Sequence, residues 1–195
     1  MECIIGMRCG DFAMVATDSH TARSIMALKL DTDKMYKLSD KTVLAVCGEG
    51  GDADQFAEYI QKNIKLYKLR NSYDLSTTAA ANFTRRQVAD SLRSRSPYQV
   101  NSLIAGHDDD GPQLFYLDYL GALMPVKFAA HGYGSFFGLS VFDRFYTPNL
   151  SRQDAYELMR KAVEEVKTRF IVNMHAFKIR VIDKDGIHDL PDIKA

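Results

Sequence analysis

Residues 1–20 read MECIIGMRCGDFAMVATDSH, and the fold is decided there. Ile4–Arg8 and Phe12–Thr17 are short apolar runs on either side of a Cys-Gly-Asp turn at 9–11. Runs of this length, bounded by Gly and Asp, read as two strands joined by a hairpin. Asp18 stands at the mouth of the second strand. The first strand starts almost at residue 1, which raises the expectation that the beginning of the chain belongs to a chemical site.

Working outward, Lys34–Lys37 and Thr42–Gly48 read as two more strands. From Gly51 the apolar period turns helical, with Phe56, Tyr59, Ile60, Ile64 and Tyr67 on one face. A second helix follows the turn at 71–75, capped by Ser76 or Thr77, with Ala80, Phe83, Val88 and Leu92 on its buried side. It must end before Pro97. Tyr98–His107 and Gln113–Tyr119 are strands around an aspartate-rich loop at 108–112, and Val126–Ala130 is another. A short helix is predicted over Phe136–Phe145. Ser151 with Asp154 then resembles a capping box opening a long helix, in which Glu157–Lys161 and Glu165–Arg169 are i,i+4 pairs. Phe177–Asp183 and Ile187–Leu190 close the chain as strands. Hairpin-linked strands with helices arriving in pairs predict an α+β layered sandwich and one domain over 1–195, not a parallel βαβ sheet.

Composition narrows the function classes. The 195 residues carry 25 basic and 25 acidic side chains, so net charge offers no nucleic-acid or anionic-membrane signal. No apolar stretch approaches the ~20 residues of a membrane helix. Cys3, Cys9 and Cys47 show no CxxC spacing; three separated thiols predict a reducing compartment, and Cys3 and Cys47 sit in apolar runs as buried thiols. The five histidines lack metal-ligand spacing, and Asp108–Asp110 lack the spacing and closing glutamate of a calcium loop. Arg85, Arg86, Arg93 and Arg95 read as a solvated or subunit-facing surface. Neither a cofactor nor a metal is expected.

One constellation could carry chemistry. Asp18 and Lys34 stand at strand mouths, and Cys47-Gly48-Glu49-Gly50 turns a strand into a helix. A lysine beside an aspartate can tune a nucleophile, and Gly48 can present a backbone N–H to an oxyanion. On residue types alone, an internal ion pair and a helix-entry turn account for the same residues.

Longer stretches add a resemblance. VATDSH (15–20), DKMYKL (33–38), VCGEGGDADQF (46–56), AAANFTRRQVADSLRSRSPYQVN (79–101), FAAHGYGS (128–135), VFDRFYTP (141–148) and IDKDGIHDL (182–190) resemble the proteasome β-subunit family of N-terminal-nucleophile hydrolases. The resemblance runs from end to end. It implies a four-layer αββα sandwich of two antiparallel sheets. It also implies assembly with other proteasome α and β subunits into a four-ring, 28-subunit complex in cytoplasm and nucleus, with no nucleic-acid or membrane partner.

Active members of that family use a threonine freed by loss of a propeptide. The resemblance puts that place at Glu2, four residues before Gly6, and carries the family's aspartate, lysine and oxyanion glycine to Asp18, Lys34 and Gly48. A serine of the glycine-rich turn falls at Tyr133, and an aspartate and a serine after the last long helix fall near Phe170 and Asn173. A carboxylate cannot replace an amino-terminal hydroxyl. The expectation is therefore a non-catalytic, structural subunit without propeptide, with Glu2, Asp18, Lys34, Gly48 and Tyr133 as a vestigial frame. The rival reading is an active hydrolase whose nucleophile is Cys3 after trimming of the two residues before it.

Overall fold

The opening hairpin forms as read: β1 (Cys3–Arg8) and β2 (Phe12–Asp18) pair antiparallel, with Gly6 opposite Val15. The structure is a computed structural model and describes residues 2–23, 26–172 and 174–194. After β2 come a small hairpin, β3 (Thr21–Arg23) and β4 (Met26–Lys29), then β5 (Met35–Ser39) and β6 (Thr42–Gly48). Helices α1 (Gly50–Asn71) and α2 (Thr77–Ser91) follow. Strands β7 (Val100–Asp108), β8 (Gly111–Leu117), β9 (Leu123–Pro125) and β10 (Phe128–Gly132) precede helices α3 (Gly134–Phe145) and α4 (Arg152–Arg169). Strands β11 (Ala176–Asp183) and β12 (Gly186–Lys194) complete the order.

The strands assemble into two five-stranded antiparallel sheets, β10-β1-β2-β11-β12 and β5-β6-β7-β8-β9. Strand alternation then divides the core into three. Ile5, Met7 and Met14 face Phe142 of α3 and Met159, Val163 and Val166 of α4. Ile4 and Val15, on the opposite face, meet Val43, Ala45, Leu103 and Leu114 of the second sheet. The outer face of that sheet, with Leu44, Val46 and Ile104, is covered by Phe56 and Ile60 of α1 and Ala80 and Val88 of α2. Helices, sheet, sheet, helices: this is the expected four-layer sandwich. Both faces of β1 and β2 are buried, which is why their sequences are continuous apolar runs without polar alternation.

Several boundaries differ from the sequence reading. The final strand extends through Pro191 to Lys194, and β9 ends at Pro125; both are edge strands, where a missing N–H costs no ladder bond. The β3–β4 hairpin was not expected, because its residues carry no strand periodicity. Lys34 precedes β5 and does not belong to it. Helix α3 starts at Gly134, inside the glycine-spaced turn. On α1, Tyr59 lies at the rim of the apolar stripe, three residues from Phe56, and is exposed. Leu92 lies just past α2 and is also exposed. On α4 the expected Glu157–Lys161 pair is replaced: Arg160 binds Glu157 at 2.6 Å and Glu164 at 2.5 Å, while Lys161 lies over the Phe145 ring. The Glu165–Arg169 pair forms as read. Ser76 and Ser151 are the caps of α2 and α4, accepting from the N–H groups of Ala79 and Asp154.

Candidate active-site frame

At the end of β2 the Asp18 carboxylate is fully buried and accepts three hydrogen bonds. Oδ1 takes the Cys3 N–H at 2.7 Å; Oδ2 takes the His20 N–H at 3.1 Å and Lys34 Nζ at 2.8 Å. Burial pushes the Asp18 carboxyl above its usual range, only partly offset by Lys34 and the Cys3 N–H. Burial works against the Lys34 charge as well, yet the Asp18 and Glu2 carboxylates outweigh it and hold the ammonium above its ordinary value.

Lys34 Nζ donates to Asp18 at 2.8 Å and to the His20 carbonyl at 2.8 Å, and forms an ion pair with Glu2 Oε1 at 3.0 Å. The other oxygen of Glu2, Oε2, accepts the backbone N–H of Gly48 at 2.6 Å. One carboxylate therefore bridges the lysine and the glycine. Gly48 closes β6 at φ 157°, and a Cβ there would stand 2.0 Å from the Gln99 carbonyl oxygen, so only glycine fits. The backbone of Glu2 is held too. Its carbonyl accepts from Tyr133 N–H at 3.2 Å, across from Gly132, whose φ of 71° and closeness to the Glu2 carbonyl again require glycine.

All of Glu2, Asp18, Lys34 and Gly48 thus meet at one strand mouth. Tyr133 and Phe170 meet beside it, their rings stacked with centroids 4.7 Å apart. Two positions 37 residues apart, aligned with polar helpers only by resemblance, are spatial neighbours here and form an apolar pair. Asn173 lies outside the described residues. Cys3 goes elsewhere. Next to Glu2 in sequence, its thiol belongs to the opposite face of the sheet, in the core under α3 and α4, and is fully buried. Burial raises its pKa well above the ordinary thiol value, and the charge of Asp18 adds to this. The sequence reading missed the bridging role of Glu2. No spacing rule announces a contact between residues 2, 34 and 48, because it depends on how three strand ends converge.

Chemically, the mouth offers a fixed ammonium and a fixed backbone N–H side by side, a donor pair suited to a carboxylate or an oxyanion. With the four-layer sandwich, that pair at the head of the first strand defines the class: an α+β protein of the N-terminal-nucleophile hydrolase fold. The family follows from comparison. A family model for proteasome subunits matches residues 1–182. The chain is 44% identical over 192 residues to the probable proteasome subunit beta type-4 of Schizosaccharomyces pombe, covering 97% of this chain and 99% of that one. It is 45% identical over 190 residues to proteasome subunit beta type-2-A of Arabidopsis thaliana (97% and 93% covered). It is 39% identical over 197 residues to proteasome subunit beta type-4 of Saccharomyces cerevisiae, with both chains covered in full. The chain belongs to the proteasome subunit family, whose members work by assembling with one another.

Proposed function

We propose that this chain is a non-catalytic β subunit of the 20S proteasome core particle, completing a β ring of the ATP- and ubiquitin-dependent degradation machine in cytoplasm and nucleus. It acts as a single domain over 1–195, within the four-ring, 28-subunit assembly and at the ring place of the type-2 and type-4 relatives. One observation carries the inactive reading: at the place of the nucleophile stands Glu2, whose carboxylate already engages Lys34 and Gly48. A carboxylate supplies no hydroxyl to attack a peptide carbonyl, and it denies the Gly48 N–H to the oxyanion that would form. The stacked Tyr133–Phe170 pair, where active members keep polar helpers, supports the same reading. Cys3 is a poor substitute nucleophile, since its buried thiol belongs to the wrong face of the sheet.

The experiment is paired. Assemblies isolated from native cells are treated with an electrophilic probe for amino-terminal threonine and cysteine nucleophiles, and the intact mass of this chain is measured. The expected result is a chain that retains Glu2 and carries no probe while sister subunits are labelled. Labelling at Cys3, or a mass showing that Glu2 has been removed, would overturn the reading.

A further inference from the structure

We propose that Glu2 is an internal ligand: its carboxylate occupies a preformed anion hole built by the Gly48 N–H and the Lys34 ammonium. Vacated, that hole takes a small free monocarboxylate such as acetate. The inference deepens the non-catalytic reading above, because it explains what the replaced residue does in the frame.

The hole does not depend on Glu2 for its shape. Lys34 Nζ is positioned by Asp18 and by the His20 carbonyl, both at 2.8 Å, and Asp18 is itself held by the N–H groups of Cys3 and His20. Gly48 is held by the β6–β7 ladder opposite Val100 and by the fit of its backbone against Gln99, whose carbonyl also accepts the Glu49 N–H at 3.0 Å. Its N–H points to Glu2 just ahead of the first turn of α1, where the helix dipole favours an anion. Removing the Glu2 side chain leaves the Lys34 ammonium and the Gly48 N–H without the two oxygens of one carboxylate, Oε1 and Oε2, that they engage. It also leaves Asp18 and Lys34 as a neutral pair, so an incoming anion restores the original charge.

The path in is open and the size is set. The Glu2 side chain is 18% exposed, so solvent reaches the site. Replacing Glu2 by alanine removes one methylene and the carboxylate, which is the size of acetate. The backbone carbonyl of residue 2 keeps its bond from Tyr133 N–H, so the start of β1 stays in place.

The test uses the full chain as Glu2→Ala, with Glu2→Gln and the unchanged protein beside it and the intact mass of each verified. Thermal unfolding is followed while sodium acetate is titrated at constant ionic strength against sodium chloride, and binding of 13C-acetate is read by NMR line broadening. For Glu2→Ala the expected result is a saturable rise in stability. A dissociation constant of about 10 mM corresponds to roughly a tenfold gain in the folded-to-unfolded ratio at about 100 mM acetate. The unchanged protein and Glu2→Gln, whose side chains fill the hole, should not respond. If Glu2→Ala is unfolded without acetate, the same titration reads recovery of the native circular dichroism. A Glu2→Ala chain that neither gains stability nor recovers structure with acetate overturns the inference, as does an equal response from all three. Either result leaves the inactive reading untouched, whereas probe labelling of the native chain would end that reading and leave the anion hole standing.

Discussion

Lys34 is the residue on which the charge of the frame turns. One ammonium faces two carboxylates and a carbonyl, and its own burial is tolerable only because those charges and two hydrogen bonds offset it. Lys34→Met removes the counter-charge from a fully buried Asp18, and breaking such a pair costs about 3–5 kcal/mol. A lower urea midpoint with unchanged slope is the expected outcome, and a midpoint equal to that of the unchanged protein contradicts it. His131 gives a second test at this scale. It is buried, stacks on Tyr116 with centroids 4.1 Å apart, and has Nε2 3.1 Å from the Ser102 carbonyl; burial pushes its pKa down from 6.5 to about 4. As pH falls, the unfolded chain takes up this proton first, near 6.5, and the folded chain resists until about 4. The contribution is therefore intact above 6.5 and is lost between those values, by about 3 kcal/mol in all. His131→Gln should flatten this part of the pH–stability curve measured by urea unfolding. An unaltered acid limb would show that other groups set it.

At the scale of elements, caps and edges decide where helices and strands stop. Ser151 accepts from Asp154 N–H at 3.1 Å and opens α4, the helix that covers the first sheet. Ser151→Ala should cost about 1 kcal/mol, seen as a small fall in melting temperature without loss of fold. A neutral result would mean that packing alone places the helix end. The cap was legible because Ser-x-x-Asp before an apolar period is a local signal. The β3–β4 hairpin and β9 were not, since short strands carry too few residues to show a period, and Pro125 and Pro191 argue against strands unless the edge position is known.

For the whole molecule, the inter-sheet layer joins the two halves. Gly6 lies there, and a Cβ at that position would stand 3.1 Å from methyl groups of both Leu103 and Leu114. Gly6→Val should therefore force the sheets apart and cost about 1–3 kcal/mol. Thermal unfolding reads the loss, and an unchanged melting temperature would mean that the two leucines yield without strain. The outer surface has a different character. Phe136 is 75% exposed and Ile171 95%, large apolar side chains left in solvent outside the core.

By itself the sequence determined the local matters: the strands of the opening hairpin, the helix caps, the pairing of helices that names an α+β sandwich, and the candidates Asp18, Lys34 and Gly48. These are set by periodicity, by capping chemistry and by residue types, whereas Glu2 joined the set only through resemblance to a family. Only the tertiary structure decided which face each apolar run covers, since strands buried on both sides lose their polar alternation. It also decided that the Glu2 carboxylate spans Lys34 and Gly48 while the adjacent Cys3 thiol is sent to the opposite side. A side chain's direction follows from strand register, and its partners from the convergence of three strand ends far apart in sequence. Neither is encoded in the spacing of any single segment.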